Sequence, residues 1–237
     1  MTERAQTIMV WWALIFMVIF GFAWWGLLDM MPPPPATWTP NEVAAFYVEH
    51  GFKIKLGALI ASWTSAFMVP FSVVVAVQMA RLERGTPVWS ILQFAGGILM
   101  SIFLVLPPIF WGIAAYSPER APEVTALMHE IAMLTLVTTD QFYIFQMVAM
   151  AYVSLTQTVD AHSPFPRWIG FFTIWAALIF EVGAIAFIPK TGPFSWNGLF
   201  VFWFPLVIFG AWVTTISVSM LQALKRQQAV STSRAPA

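Results

Sequence analysis

The sequence predicts an all-α, polytopic transmembrane bundle of six spans with both termini on the inner side, and three observations carry that reading. Of its 237 residues, 59% are hydrophobic and 9% charged, whereas a soluble domain carries about 25% charged residues and could not cover so much apolar surface. The apolar residues fall in stretches of about 20 or more, the length a helix needs to cross about 30 Å of hydrocarbon at 1.5 Å per residue. Short segments rich in Pro, Gly and charge separate them. Thirteen Trp and 22 Phe raise the aromatic share to 16%, and Trp favours the lipid–water boundary, where its ring is apolar and its N–H stays wet.

The expected spans are residues 8–28, 56–80, 88–116, 124–156, 168–188 and 197–224. The fourth is long enough to tilt or protrude. The first apolar stretch, Thr7 to Leu28, exceeds a signal-peptide core and runs into Asp29 and four prolines without a small-residue cleavage pattern, so it reads as a retained span. With the N-terminus inside, the inner segments hold Arg4, Arg81, Arg84, Arg167, Lys225, Arg226 and Arg234, and the outer ones Lys53, Lys55, Arg120 and Lys190. Seven basic residues against four favour N-in and C-in by the positive-inside rule, and with it the inner (cytoplasmic) membrane as the location. Residues 1–226 form a single bundle in this reading, and the polar residues 227–237 a disordered cytoplasmic tail.

Pro70, Pro107-Pro108 and Pro205 fall inside the second, third and sixth spans. Each removes a backbone donor and invites a kink, and the freed carbonyls should face other helices or a cavity, because lipid offers no partner. Gly57, Ala61 and Ser65 recur every four residues in the second span, a small-residue stripe suited to close packing inside the bundle. The largest outer loop opens with Pro32 to Pro35 and continues Thr39-Pro40-Asn41-Glu42, a helix-start signature. Val43, Phe46 and Tyr47 would give that short amphipathic helix an apolar side to lay on the bilayer surface.

The stretches Val77-Gln78-Met79-Ala80-Arg81-Leu82-Glu83, Leu106-Pro107-Pro108-Ile109-Phe110-Trp111, Pro164-Phe165-Pro166-Arg167-Trp168-Ile169-Gly170 and Lys190-Thr191-Gly192-Pro193-Phe194-Ser195-Trp196-Asn197-Gly198 resemble those of an uncharacterised family of small six-span bacterial membrane proteins. The resemblance implies architecture only. No activity, cofactor or site residue is carried over from it.

Chemistry inside the bundle rests on three acids within spans, Glu130 and Asp140 in the fourth and Glu181 in the fifth. A charge at the bilayer centre costs about 2.5 to 3.5 kcal/mol on insertion scales, so such residues normally face the interior. Counted from the outer ends of their spans, Asp140 lies about 20 Å deep and Glu181 about 10 Å, which predicts one outer-half cavity. His129 and Asp140, eleven residues apart, share a helix face with Met133, Leu136, Tyr143 and Met147. The candidate catalytic residues are therefore Asp140, Glu181 and His129. The candidate ligand-binding residues are Tyr143, Met133, Met147, Trp175, Trp203 and Glu130. Trp11, Trp12, Trp24, Trp25, Trp89, Trp111, Trp168 and Trp196 lie near span ends and read as interfacial anchors, whereas Trp63, Trp175, Trp203 and Trp212 lie deeper.

Zero formal net charge leaves no basic field for nucleic acid, and the absence of Cys removes disulfides, thiolate metal sites and iron–sulfur ligation. His50, His129 and His162 have no paired ligand spacing for haem or metal, the Met residues are too scattered for copper, and no Walker loop or dinucleotide fingerprint is present. No metal and no cofactor is expected. The partners expected are the bilayer, a lipophilic small molecule and a membrane-protein subunit. The leading reading is binding of such a molecule, or service as an accessory subunit. The alternatives are an intramembrane acid–base enzyme, an isomerase or cyclase of a terpenoid-like or steroid-like substrate, and a proton-coupled transporter, against which stand six spans without an internal repeat.

Overall fold

The computed structural model describes residues 2–157 and 162–233, with side chains to residue 231. Among these there is no strand, and six helices are long and apolar enough to cross a membrane. The chain is thus an all-helical, multi-pass membrane protein. An even number of spans brings both ends of the described chain to one side, called here the termini face.

Span 1 is α1 (Glu3–Phe22), capped by the Thr2 hydroxyl, which accepts from the Ala5 N–H, and ended by a π-helical turn at Ala23–Leu27. Span 2 is α2 (Pro40–Thr64) and α3 (Met68–Ala80), joined through a 3-10 turn at Ser65–Phe67. Pro70 explains that turn: it has no N–H for the carbonyl of Ala66, and its ring crowds the same group. Ala66 accordingly leaves helical geometry at ψ 19°. Span 3 is α4 (Val88–Tyr116), which keeps the expected bounds and carries Pro107 and Pro108 without a break.

Span 4 is α5 (Pro122–Thr138) and α6 (Tyr143–Thr156), interrupted by a 3-10 turn at Asp140–Phe142. There the hydroxyls of Thr138 and Thr139 donate to the carbonyls of Leu134 and Thr135 one turn back, a back-bonding pattern that bends helices. Span 5 is α7 (Arg167–Phe180), finished in 3-10 geometry at Glu181–Phe187. Span 6 opens with a π-helical turn at Leu199–Trp203 and continues as α8 (Phe204–Ser233), with Pro205 in its first turn.

Thirteen residues separate Phe67 from Ala80, fourteen separate Phe142 from Thr156, and fourteen separate Arg167 from Glu181. At 1.5 Å per residue, the breaks in spans 2, 4 and 5 share a height about 20 Å from the termini face. Irregular backbone at membrane depth is tolerated only where protein covers it or a cavity receives it, and this shared height marks such a place.

Two expectations need correction. The outer-loop helix is not a separate element on the bilayer surface. The Thr39–Glu42 capping box starts it as expected, but the helix then runs unbroken to Thr64, because no proline lies between residues 41 and 64 to end it. The whole span of 41 residues would measure about 60 Å, twice the hydrocarbon thickness, so its start projects beyond the opposite face. Val43 and Tyr47 are buried there and α2 packs on α5. The polar tail also does not begin at 227, since α8 continues to Ser233. The buried Gln227 amide holds it in place, donating to Gln78 Oε1 at 3.0 Å and to the His162 carbonyl at 3.0 Å. Arg234 and the rest of the tail lie outside the described residues.

Gln78 Nε2 also donates to Gln6 Oε1 at 2.7 Å, so three buried glutamines clasp spans 1, 2 and 6 at the termini face. Replacing Gln78 by Leu removes the donor to the amide oxygens of Gln6 and Gln227, at a cost of about 1 to 3 kcal/mol. The expected result is a lower thermal midpoint in detergent, and an unchanged midpoint would show that the clasp adds no stability. Near the opposite face Lys53 Nζ reaches both oxygens of Asp29 at 2.7 Å, tying the end of span 1 to α2. The small-residue stripe packs inside the bundle: a Cβ on Gly57 would stand 2.9 Å from side-chain carbons of Leu27 and Leu28.

Three of the four motif stretches quoted above make structural contacts. Glu83 accepts from the N–H groups of Trp89 and Ser90 and so caps α4. Pro164 accepts from the Ser219 hydroxyl, and Trp196 Nε1 donates to the Pro34 carbonyl at 2.8 Å, pinning the loop before span 6 onto the polyproline segment.

Candidate functional site

At the height of the breaks the bundle holds an open-mouthed cleft of about 200 Å³. Its floor and far walls are buried rings and branched side chains: Phe67 from the kink in span 2, Phe103 and Leu104 from α4, Leu136 and Val137 from α5, and Phe180 from α7. Spans 1 and 6 form the remaining walls with Met17, Phe20 and Trp24 on one side and Phe202, Leu206 and Phe209 on the other. Ring contacts brace the floor. Phe209 meets Phe67 at 6.0 Å and Phe103 at 6.3 Å, and Tyr143 stacks on Phe180 at 4.8 Å.

One ionisable side chain lines this cleft among the described residues, that of Asp140. It is 3% exposed, and its Oδ1 has no hydrogen-bond partner among them. Two features of the backbone place it there. The 3-10 turn it starts sets the direction of its side chain, and span 5 comes unusually close at Gly183. A Cβ at Gly183 would stand 2.1 Å from the Val137 carbonyl oxygen and 2.4 and 2.6 Å from the two Asp140 oxygens. Only glycine allows the broken segments of spans 4 and 5 to meet. On the facing wall the buried Trp24 indole N–H is also unpaired, beside Trp111, whose N–H is unpaired too, with ring centroids 5.5 Å apart.

His129 belongs to a second cavity near the opposite face, lined by Trp38, Val43, Glu130, Lys190 and Trp196 among others and sharing no residue with the cleft. Its Nδ1 lies 2.9 Å from the Tyr47 hydroxyl, and its ring meets Trp196 edge-on at 5.9 Å. Glu130 stands at the rim, 3.5 Å from Lys190. The fold thus buries His129 and Asp140 on one side of span 4, as their spacing implies, but sends them to different chambers.

The remaining sequence candidates separate further. Glu181 sits at the same height as Asp140 and within its electrostatic reach, yet its side chain is on the exposed surface of the bundle. Span 5 turns Gly183 inward, and in the 3-10 segment that puts Glu181 on another face. Met133, Tyr143 and Met147 are buried in the core and do not line the cleft; the Tyr143 hydroxyl has no hydrogen-bond partner among the described residues. Trp175 is 50% exposed and points outward, and Trp203 packs edge-on to Phe202 without reaching the cleft. Trp63, expected at depth, is 72% exposed, whereas Trp24, Trp111 and Trp196, expected as interfacial anchors, are buried. Trp212 is buried and donates to Thr173.

Sequence reasoning passed over Trp24, Phe20 and Met17, although the signal was present. Val10, Ala13, Met17, Phe20 and Trp24 follow three- and four-residue steps along one helix face, and that face turns inward. The lining of span 6 had no comparable sign, because Val201 to Phe209 is apolar on every side.

The cleft can hold an apolar body and satisfy one hydrogen-bonding group. Among the described residues no group of three or more His, Asp or Glu stands close enough to hold a metal ion. No family model, no curated protein and no solved structure matches this chain.

Proposed function

We propose that this protein binds a lipophilic small molecule in the central cleft, holding the ligand's polar group on Asp140, in the cytoplasmic membrane with both termini inside. One observation carries the reading: an otherwise apolar cleft ends on a buried carboxyl with an unpaired oxygen. An unsatisfied buried polar atom costs about 1 to 3 kcal/mol, and a ligand hydroxyl that pairs with it turns that cost into affinity. The lining agrees, since small-molecule pockets are mostly apolar and carry a few placed polar groups.

Purification from the native membrane followed by mass spectrometry of the extracted small molecules tests this. About one neutral lipophile per chain is the expected result; its absence at stoichiometric levels counts against the reading. The acid–base enzyme keeps Asp140 as its proton donor but loses Glu181 as a partner in the same chamber, so it draws less support. Service as an accessory subunit is compatible with ligand binding and would appear in the same preparation as a co-purifying protein.

A further inference from the structure

The cleft has an open side. Spans 1 and 6 are clasped at the termini face by Gln6, Gln78 and Gln227 and meet again toward the opposite face, where Trp24 stacks on Phe202 at 6.4 Å. The cleft opens between these two contacts, at Gly21 and Gly210. Gly21 is exposed there and Met17, Leu206, Phe209 and Gly210 are partly so, as is Met31 nearer the opposite face, whereas Leu104, Leu136 and Asp140 behind them are buried. Open space lies beside two glycines of these spans, for a Cβ placed on Gly21 or on Gly210 would meet nothing within 4 Å. Around it the surface is apolar, with Val18, Phe22 and Val207 exposed. The opening therefore faces acyl chains.

Resting on the proposed binding role, we infer that the ligand is a neutral lipophile bearing one hydroxyl, which passes sideways from the bilayer between spans 1 and 6, past Gly21 and Gly210, with the hydroxyl innermost. The chemistry of the lining selects this class. No Lys or Arg lines the cleft, so a phosphate headgroup has no counter-charge there and would have to be desolvated unpaired. Asp140 Oδ1 accepts from the hydroxyl, and the unpaired Trp24 N–H is a donor for its oxygen. A hydroxyl deep in hydrocarbon has no other partner, so the anchor competes with nothing.

The test uses the full chain in phosphatidylcholine vesicles with three photoactivatable diazirine probes: a long-chain alcohol, its methyl ether, and a phosphatidylcholine. Cross-linked peptides are mapped by mass spectrometry. The alcohol should label peptides carrying Leu104 and Phe202, the ether roughly fivefold less, as for one lost hydrogen bond, and the phosphatidylcholine only lipid-facing positions such as Ile98 and Ile102. Gly21→Leu with Gly210→Leu should cut cleft labelling by the alcohol roughly fivefold or more while Ile98 labelling and the melting temperature hold. Gly21→Val with Gly210→Val should reduce cleft labelling in the same direction, and this pair stands in should the leucines impair folding, undiminished labelling in it overturning the route likewise. Undiminished cleft labelling in the leucine pair overturns the sideways route, and equal labelling by ether or phosphatidylcholine overturns the hydroxyl class. If no probe labels the cleft while the native preparation carries its lipophile, the inference fails and the binding role stands; if that lipophile is also missing, both fail.

Discussion

Replacing Asp140 with Leu should strip the protein of its co-purifying lipophile while leaving the fold as stable as before or more so. The two effects follow from one atom. Oδ1 is buried and unpaired in the protein alone, so the native chain bears a desolvation cost that leucine removes. The ligand loses the partner for its polar group, worth about 1 to 3 kcal/mol or roughly 5- to 150-fold in affinity. Asp140→Asn, which keeps the shape and a hydrogen-bonding oxygen, should fall between. Bound lipophile per chain and the thermal midpoint of ligand-free protein are the two measurements. Equal ligand yield from wild type and Asp140→Leu would remove Asp140 as the anchor, and a lower midpoint in the leucine variant would make it a structural residue. A stabilising loss of function is the usual mark of a residue kept for its task.

The second large effect should come from the smallest change, Gly183→Ala. The added methyl carbon would fall 2.1 Å from the Val137 carbonyl oxygen, well inside contact distance, and that neighbour is backbone in the last turn of α5, just before Asp140. Spans 4 and 5 must then separate at the height where both leave α-helical geometry. Overpacking of this kind costs about 3 kcal/mol, enough to lower the melting temperature in detergent sharply and to release bound ligand. Gly21→Ala is the internal control, since its methyl meets nothing within 4 Å. If Gly183→Ala melts with the control, the close approach of the two spans does not hold the site together.

Much of the architecture was legible because lipid imposes simple rules. A proline, a charge cluster or a glycine turn bounds each long apolar stretch, and span 3 emerged with the limits assigned to it, residues 88–116. Where an end was misjudged, tertiary contact was the cause. Gln227 extends span 6 by pairing with Gln78, and α2 continues above the membrane because Tyr47 finds His129 across 82 residues of sequence. The site was half legible. Burial cost picked out Asp140 from its chemistry alone, but helix periodicity cannot follow a side chain through a 3-10 turn. Glu181 opens such a segment two positions before Gly183, and at about three residues per turn a Gly183 turned inward leaves Glu181 on another face. Tryptophan misled for a related reason: its depth along a span says nothing of the direction it faces, and Trp111 and Trp63 differ in direction.

Span 3 keeps continuous α-helix to its end, whereas spans 1, 2, 4, 5 and 6 each contain or end in a 3-10 or π-helical turn. Amides in such turns lack the regular ladder that shields the rest of a membrane-buried chain from deuterium. In heavy water, isotope uptake should therefore trace a belt around Asp140 while α4 between Val88 and Tyr116 stays dark, and the belt should fade when a molecule fills its centre.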